Sequence, residues 1–427
     1  MKRFLSRRAF LRRSVIAAAG SSLGAVGVLR AADAPGSRLR VAVMGLGRGL
    51  AHAEALLQIP NVDLAALCDV DADRLARAAK IVAARQPRPP KAVKDVRIIL
   101  DDPGVDALFI AAPNFWHAPA TILACAAGKH VYVEKPASHN PREGEWMVAA
   151  ARQHRRVVQM GNQRRSWPAV IEAIEKLRGG AIGKVFSART WYNNSRGSIG
   201  RGKPVPVPSH LDYSLWQGPV PERPYVDNLI PYNWHWRWHW GNGELGNNGV
   251  HALDIVRWGL GVDYPRRVTF NGGRYHFPDD QETPDTGVAV FDFGPTVAIW
   301  DGSSCHPRTH ENLPFVAFYG EGGALTCGGG GDYRIFDRKG KEISRGSGPG
   351  GDQGHIRNFL DCIRTGGRPN AEIEDGQKST LLCHLGNIAC RTGHTLNIDP
   401  ANGKIVGDSD AQVLWRREYR PGWEPQV

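Results

Sequence analysis

The chain lacks any Cys-x-x-Cys pair, which removes zinc ribbons and dithiol redox centres from consideration. Its seven cysteines, Cys68, Cys125, Cys305, Cys327, Cys362, Cys383 and Cys390, are an odd and scattered set. Several sit inside apolar runs, as buried thiols do, so a disulfide framework is not expected. Beyond residue 34 no stretch reaches the roughly 18 apolar residues of a membrane span, so no permanent membrane anchor is expected. No Gly-x-Ser-x-Gly elbow follows that point either, which argues against a serine nucleophile. Acids are outnumbered, with 42 Asp and Glu against 54 Lys and Arg, a formal net charge of +12. Half of that excess lies in residues 1–34, where Lys2, Arg3, Arg7, Arg8, Arg12, Arg13 and Arg30 face only Asp33. The remainder is too thinly spread for a nucleic-acid face, and no nucleic-acid partner is expected. With 42% hydrophobic and 22% charged residues over 427 positions, the chain can build two or three cored domains.

Residues 6–12 read Ser-Arg-Arg-Ala-Phe-Leu-Arg and resemble a twin-arginine export signal, followed by a mildly apolar stretch at 14–29. Residues 1–34 are therefore read as a signal peptide, the twin-arginine translocation machinery as a partner, and the periplasm as the destination. That route carries proteins already folded, typically with a cofactor bound.

From residue 39 short apolar runs alternate with helix-period stretches. Leu39–Met44, Val62–Cys68, 107–111, His130–Val133 and 157–160 read as buried parallel strands, with helices at 51–58, 73–84, 96–100, 119–127 and 142–154. This pattern predicts a doubly wound α/β sheet. The first strand runs into Gly45-Leu46-Gly47-Arg48-Gly49, a turn that lets backbone N–H groups approach a pyrophosphate. The fingerprint is irregular, since its third glycine comes one residue early, and a plain tight turn would use the same residues. Asp69 ends the next strand about twenty residues on, where a carboxylate accepts from the ribose hydroxyls and repels a 2′-phosphate, favouring NAD. Asp71 reads as a helix N-cap. Pro113-Asn114-Phe115-Trp116-His117 and Glu134-Lys135-Pro136 follow later strands, where open α/β sheets bind ligands.

Gly-x-Gly, then Pro-Asn-x-x-His, then Glu-Lys-Pro in this order resembles the glucose–fructose oxidoreductase / inositol dehydrogenase (Gfo/Idh/MocA) family, and more closely a twin-arginine-exported bacterial branch. The resemblance implies that Gly45, Gly47, Arg48, Asp69, Asn114, His117, Glu134 and Lys135 contact NAD, and that Lys135 contacts the reacting hydroxyl. The family's second element, Asp-x-x-x-His on a helix, falls on Asn247 and His251. An amide cannot take a proton, so acid–base work would rest on His251 and Lys135. The implied architecture is a Rossmann domain at 35–161, an open, mainly antiparallel substrate and oligomerisation sheet at 162–352, and helices and tail at 353–427 packing back on the nucleotide domain. A homo-oligomer through the second sheet is expected.

In the second half 185–192, 267–270, 287–293, 297–302, 314–319 and 333–336 read as strands, and 170–178, 355–363 and 376–391 as helices. Gly328–Gly331 and Gly346–Gly351 read as turns. Between Trp234 and Trp240, four of the thirteen tryptophans alternate with His235, Arg237 and His239. An extended chain would put all four rings on one side, forming either a sugar-stacking platform or a packed ladder. The pairs His235/His239 and His306/His310 lack a third ligand, and no metal is expected. Arg164, Trp191, Tyr192, His239 and Asn247 are candidate substrate contacts. The reading is an NAD-dependent oxidoreductase acting on a sugar, cyclitol or glycoside hydroxyl with a tightly retained cofactor. The alternatives are a redox-neutral glycoside hydrolase and a non-enzymatic sugar- or NAD-binding protein.

Overall fold

The computed structural model describes residues 38–427; the twin-arginine segment lies outside the described residues. Six parallel strands form the first sheet: β1 (Leu39–Met44), β2 (Val62–Cys68), β3 (Lys91–Val93), β4 (Ala107–Ile110), β5 (His130–Val133) and β6 (Val158–Met160), in the order β3-β2-β1-β4-β5-β6. This is the dinucleotide-binding order, with its switch point between β1 and β4. Its near-continuous apolar strands are covered on both faces, by α1 (Gly49–Leu56), α2 (Ala72–Ala83), α3 (Asn114–Ala126) and α4 (Pro141–Gln153) among others. Asp71 caps α2, accepting from the backbone N–H groups of Asp73 and Arg74 at 3.0 and 3.1 Å. β3 was not expected: three residues at the sheet edge carry too little periodicity to read. α3 starts at Asn114 rather than 119, so Pro119 lies inside it.

The second sheet has ten strands: β7 (Val185–Asn193), β8 (Arg267–Gly273), β9 (Thr286–Asp292), β10 (Val297–Ser303), β11 (Val316–Gly320), β12 (Gly323–Cys327), β13 (Asp332–Asp337), β14 (Glu342–Ser347), β15 (Leu396–Ile398) and β16 (Ile405–Val406). All neighbours pair antiparallel except β7 with β10, which are parallel. β14 replaces part of the turn expected around Gly346; the strand reads as polar because it is an edge. β15 and β16 extend the sheet from the C-terminal segment.

Three further helices complete the frame: α5 (Pro168–Arg178), α6 (Val250–Leu260) and α7 (Gln353–Thr365), with the long α8 (Ile373–Thr392) as the seam between the two sheets. α8 packs on β8 and α6 on one side and on α4 on the other. At that seam Arg165, just past β6, grips Asp254 of α6 with two hydrogen bonds of 2.9 and 2.7 Å, both side chains buried. Ser379 of α8 donates to the same carboxylate at 2.6 Å and accepts from Arg257 at 2.9 Å, and Arg257 reaches Asp375 at 2.8 Å. Removing one partner of such a pair leaves an uncompensated buried charge. Asp254→Ala is expected to lower unfolding free energy by about 3–5 kcal/mol, checked by urea denaturation.

Candidate active site

The nucleotide end is built from the β1 turn. Gly45 has φ of +84°, and a Cβ there would lie 2.6 Å from the backbone of Ala111 and Ala112, so only glycine permits this approach of β1 to β4. A Cβ on Gly49 would sit 2.8 Å from Val43 Cγ1. The early third glycine thus does the helix-on-strand packing of the usual fingerprint. Asp69 Oδ2 accepts from the Leu46 N–H at 2.6 Å and Oδ1 from Asp71 N–H at 2.9 Å, which fixes the turn against the end of β2. Burial pushes the Asp69 pKa up against the pull of those two bonds. A cleft of about 570 Å³ runs past Gly45, Gly47, Arg48, Asp69, Asn114, His117, Glu134, Lys135 and Asn247. Every residue expected to touch the cofactor therefore lines one cavity.

Glu134 is the electrostatic hub of that cavity. Its Oε1 accepts from His52 Nε2 at 2.9 Å and Arg48 Nε at 3.2 Å, and its Oε2 from the Lys135 N–H at 3.1 Å. Burial opposes the charge, but the His52 bond with the Arg48 and Lys135 cations hold the carboxyl well below its usual range. Arg48 also reaches Asp352, next to α7, at 2.6 Å. His117 spans from the carbonyl of Pro136 (Nδ1, 2.6 Å) to that of Ala112 (Nε2, 2.8 Å), tying the end of β4 to the Glu-Lys-Pro turn. Asn114 Nδ2 donates to Asn242 Oδ1 at 3.1 Å.

The reactive end is made by a π-helical turn, Leu245–Gly249, that leads into α6. Such turns widen the helix and recur at functional sites. Lys135 Nζ donates to the Asn247 carbonyl at 2.8 Å and to its Oδ1 at 3.1 Å. Burial lowers the Lys135 pKa. His251 follows at the start of α6. Burial, then the Lys135 and Arg164 cations, push its pKa well below the ordinary value, and its Nδ1 is buried with no partner.

Sequence reasoning missed the neighbour of this pair. Glu244 is 4% exposed, accepts from Asn248 at 2.6 Å and pairs with Arg196, which in turn donates to the Tyr192 hydroxyl at 3.0 Å. Burial raises the Glu244 pKa. A lone acid in the glycine-rich approach to the His251 helix was the available signal. His52, one helical turn after Arg48, was the other.

The remaining candidates scatter. Tyr192 joins the Glu244 cluster, and Trp191 lies under Arg189. Arg164 is sandwiched by Trp167 and Phe315 and donates to the Gly329 carbonyl at 3.2 Å; burial lowers its pKa to about 10. None of Arg164, Trp191, Tyr192 and His251 is among the residues that line the cleft; His251 sits one turn behind Asn247, which does. His239 bonds the Pro221 carbonyl at 2.8 Å and lines a different cavity. The extended tryptophan ladder is not formed. Asn233–Trp236 is a 3-10 turn, followed by a reversal in which Trp240 and Gly241 N–H groups bond the Arg237 carbonyl. Local stacking of His235 on Trp234 (3.5 Å) and a His235 Nδ1 bond to Tyr232 O (2.6 Å) win over period-two alternation. Trp234 and His235 line the nucleotide cleft, while Trp238 faces the other cavity.

A strap from the second domain closes the cleft. Leu211, Leu215, Trp216, Ile230 and Tyr232 form its far wall. The strap is hydrogen-bonded to the connection between β2 and α2 (Ala72 N to His210 O, 2.8 Å; Asp212 N to Val70 O, 2.9 Å) and Trp116 Nε1 donates to Trp216 O at 2.9 Å. The C-terminal tail buttresses it. Arg420 N–H bonds the Pro219 carbonyl at 3.0 Å, Arg420 pairs with Glu222 at 2.9 Å, and Trp423 meets Trp116 edge-on at 5.3 Å.

Residues 39–162 match the NAD-binding Rossmann fold of the Gfo/Idh/MocA oxidoreductase family, and 175–283 match that family's C-terminal alpha/beta domain. The chain belongs to this family, and its nucleotide cleft is that of an NAD-binding Rossmann fold. It is 32% identical over 183 residues to a myo-inositol 2-dehydrogenase of Thermotoga maritima, covering 43% of this chain and 50% of that one. It is 33% identical over 181 residues to a glycosyl hydrolase family 109 protein of Saccharopolyspora erythraea, covering 37% and 39%. The chain thus spans half or less of the length of these curated relatives. The crystal structure of an aldose–aldose oxidoreductase from Caulobacter crescentus complexed with glycerol superposes with a TM-score of 0.66 at 21% identity, over 84% of this chain and 100% of that one, a likeness of fold.

Because the Glu134 pKa is depressed on folding, its stabilisation is present above the unfolded value of about 4.3 and is lost as pH falls through the folded value. Glu134→Gln is expected to flatten the acid limb of stability below about pH 4, measured by denaturant unfolding across a pH series.

Proposed function

We propose that the chain is an NAD-dependent dehydrogenase that oxidises a secondary hydroxyl of a sugar, cyclitol or glycoside. The observation that carries this reading is the position of Lys135 Nζ, held at 2.8 and 3.1 Å on Asn247 in the same cleft as the glycine turn and Asp69. The cleft residues fit NAD: Gly45 and Gly47 bring bare backbone to the cleft wall, and Asp69 offers a carboxylate to a ribose diol. Bound nicotinamide would supply the hydride acceptor. Lys135 donates to the hydroxyl oxygen and to the carbonyl oxygen that develops from it, stabilising charge where it appears. His251 is kept neutral by burial and by neighbouring cations, so it accepts the hydroxyl proton. With Nδ1 fully enclosed, that proton goes to Nε2. Asn247 orients Lys135 without competing for the proton, because an amide is not a base.

Retention of the cofactor between turnovers is part of the proposal. It is supported by the strap that walls the cleft and by the C-terminal buttress that holds the strap in place. Export by the twin-arginine route, inferred from Arg7 and Arg8, fits a passenger loaded before translocation. Self-association through the second sheet is proposed from the exposed Phe186, Tyr319 and Ile343 on its strands.

A second reading is redox-neutral glycoside hydrolysis, in which a hydroxyl is oxidised transiently and the aglycone leaves before re-reduction. Asn247 in place of a carboxylate favours it, as does the likeness to a protein named as a glycosyl hydrolase. Keto-sugar accumulation with NADH supports the dehydrogenase; aglycone release without net NADH supports the hydrolase.

On a sugar and cyclitol panel, Lys135→Ala is expected to lose about 10²–10⁴-fold in kcat while keeping bound nucleotide. Undiminished turnover would sink the mechanism. Dialysed wild-type chain is expected to release stoichiometric NAD(H) on denaturation, and Trp423→Ala to release nucleotide about tenfold faster, followed by loss of nucleotide absorbance over time. A wild-type protein empty after dialysis would rule out retention.

A further inference from the structure

Behind Asn242, and separate from the nucleotide cleft, lies a second cavity of about 460 Å³. Its floor is the entry to α4, with His139 and Asn140, and the C-terminal half of α8, with His384, Asn387 and Arg391. The loops at 220–223 and 238–242 and the tail at 413–418 wall it in. Both ring nitrogens of His139, Asn140 Nδ2, and Nε and Nη1 of Arg417 are buried there without a partner. Asn140 is only 6% exposed, and its Oδ1 is committed to the Glu143 N–H at 3.1 Å as the cap of α4. Folded proteins leave very few buried polar atoms unbonded. Five such atoms from three residues of one cavity form a wall suited to a polar guest.

The unpartnered atoms of that wall are mostly donors, although the Arg417 charge is itself met by buried Glu143, whose Oε1 lies 2.6 Å from Nη2, and Nη2 also donates to the Phe115 carbonyl at 2.8 Å. Arg417 and Asn140 offer only donors through their free atoms, and neutral His139 offers one donor and one acceptor. At the rim Arg223 and Arg391 lie over the faces of Trp240 and Trp238, 5.7 and 5.3 Å from the ring centroids, and neither forms an ion pair among the described residues. The cavity's acids are partly engaged. Glu222 pairs with Arg420 at 2.9 Å, and Glu282 accepts from the Trp238 N–H at 2.7 Å while acting on Arg391 by its charge. Glu418 is the third acid. Guanidinium groups paired with aromatic faces suit a ligand that has both an oxyanion and apolar C–H surfaces.

We propose that this cavity binds a small hydroxylated oxyanion, a sugar acid or sugar phosphate, at a site distinct from the catalytic cleft. Its volume accommodates one monosaccharide-sized molecule. The two sites share one relay. Asn242 donates to the His139 carbonyl at 2.8 Å, accepts from Asn114 of the nucleotide cleft at 3.1 Å, and its own carbonyl accepts from Asn387 at 2.8 Å. Occupancy of the second cavity therefore bears on the residue that lines the first.

The test is titration calorimetry on the full chain with its nucleotide bound, using gluconate, inorganic phosphate and neutral glucose as probes. One of the anions is expected to saturate a single site, in the wild type and equally in Lys135→Ala, with glucose much weaker. The double variant Arg223→Gln/Arg391→Gln should weaken that binding by about tenfold or more with nucleotide content and Tm unchanged, and Arg391→Lys should recover part of it. Saturation by gluconate alone assigns a carboxylate ligand, and by phosphate alone a phosphorylated one. No saturable binding of either anion in the millimolar range would overturn the proposal. So would binding indifferent to the double variant, binding lost in Lys135→Ala, or glucose binding as tightly as the anions.

Discussion

The carboxylate of Asp254 is the point on which the active site hangs. It receives two hydrogen bonds from Arg165, in the turn that follows the last strand of the nucleotide sheet, and one from Ser379 of the long seam helix, all away from water. Asp254 lies one turn past His251 on α6, and the π-helical turn carrying Asn247 runs directly into that helix. Fixing α6 through Asp254 therefore fixes the distance from Asn247 to Lys135, which comes from the other domain. A buried, bidentate pair is a costly way to join two segments of the chain, because desolvation offsets much of its attraction. What it supplies is geometry: a planar guanidinium on a planar carboxylate admits little sliding or rotation.

Charge in the cleft is arranged in two layers. Glu134 balances Arg48 and sits beside His52, while Glu244 balances Arg196. These pairs leave Lys135 and Arg164 as cations without an acid partner among the described residues. Burial first, and then their field, lower the His251 pKa. Glu134 thus acts on the site from behind, holding the start of the Glu-Lys-Pro turn through the Lys135 N–H, whereas Lys135 itself reaches forward to Asn247. The strap and tail add a third element, an apolar and aromatic wall that encloses this arrangement from the solvent side.

Much of the nucleotide domain was legible in the sequence, because buried parallel strands are short continuous apolar runs and glycine turns have few alternative uses. Gly45, Asp69, Asn114, His117, Glu134 and Lys135 all fall in one cleft, as their places after successive strands imply. Legibility failed where structure is set by partners distant in sequence. The edge strands β3 and β14 are too short or too polar to carry a period. The tryptophan run looked extended by alternation, yet folded into turns because ring stacking and i→i+3 bonds outweighed a pattern with no sheet edge to join. By its neighbours in sequence His239 reads as a substrate contact, and the reversal at Arg237 sends it into another cavity.

The sequence by itself determined the alternation of strands and helices, the glycine turn with its acid, and the presence of a lysine after the fifth strand and a histidine at the head of a later helix. These are local properties: hydrophobic period, backbone freedom and titratable groups at strand ends. Only the tertiary structure decided that Lys135 meets Asn247, that Glu244 and Arg196 pair nearby, and that a strap walls the nucleotide cleft with the C-terminal tail packed against it. Those contacts join residues dozens to hundreds of positions apart. They depend on which faces the two sheets present to α8, and no periodicity along the chain encodes that choice.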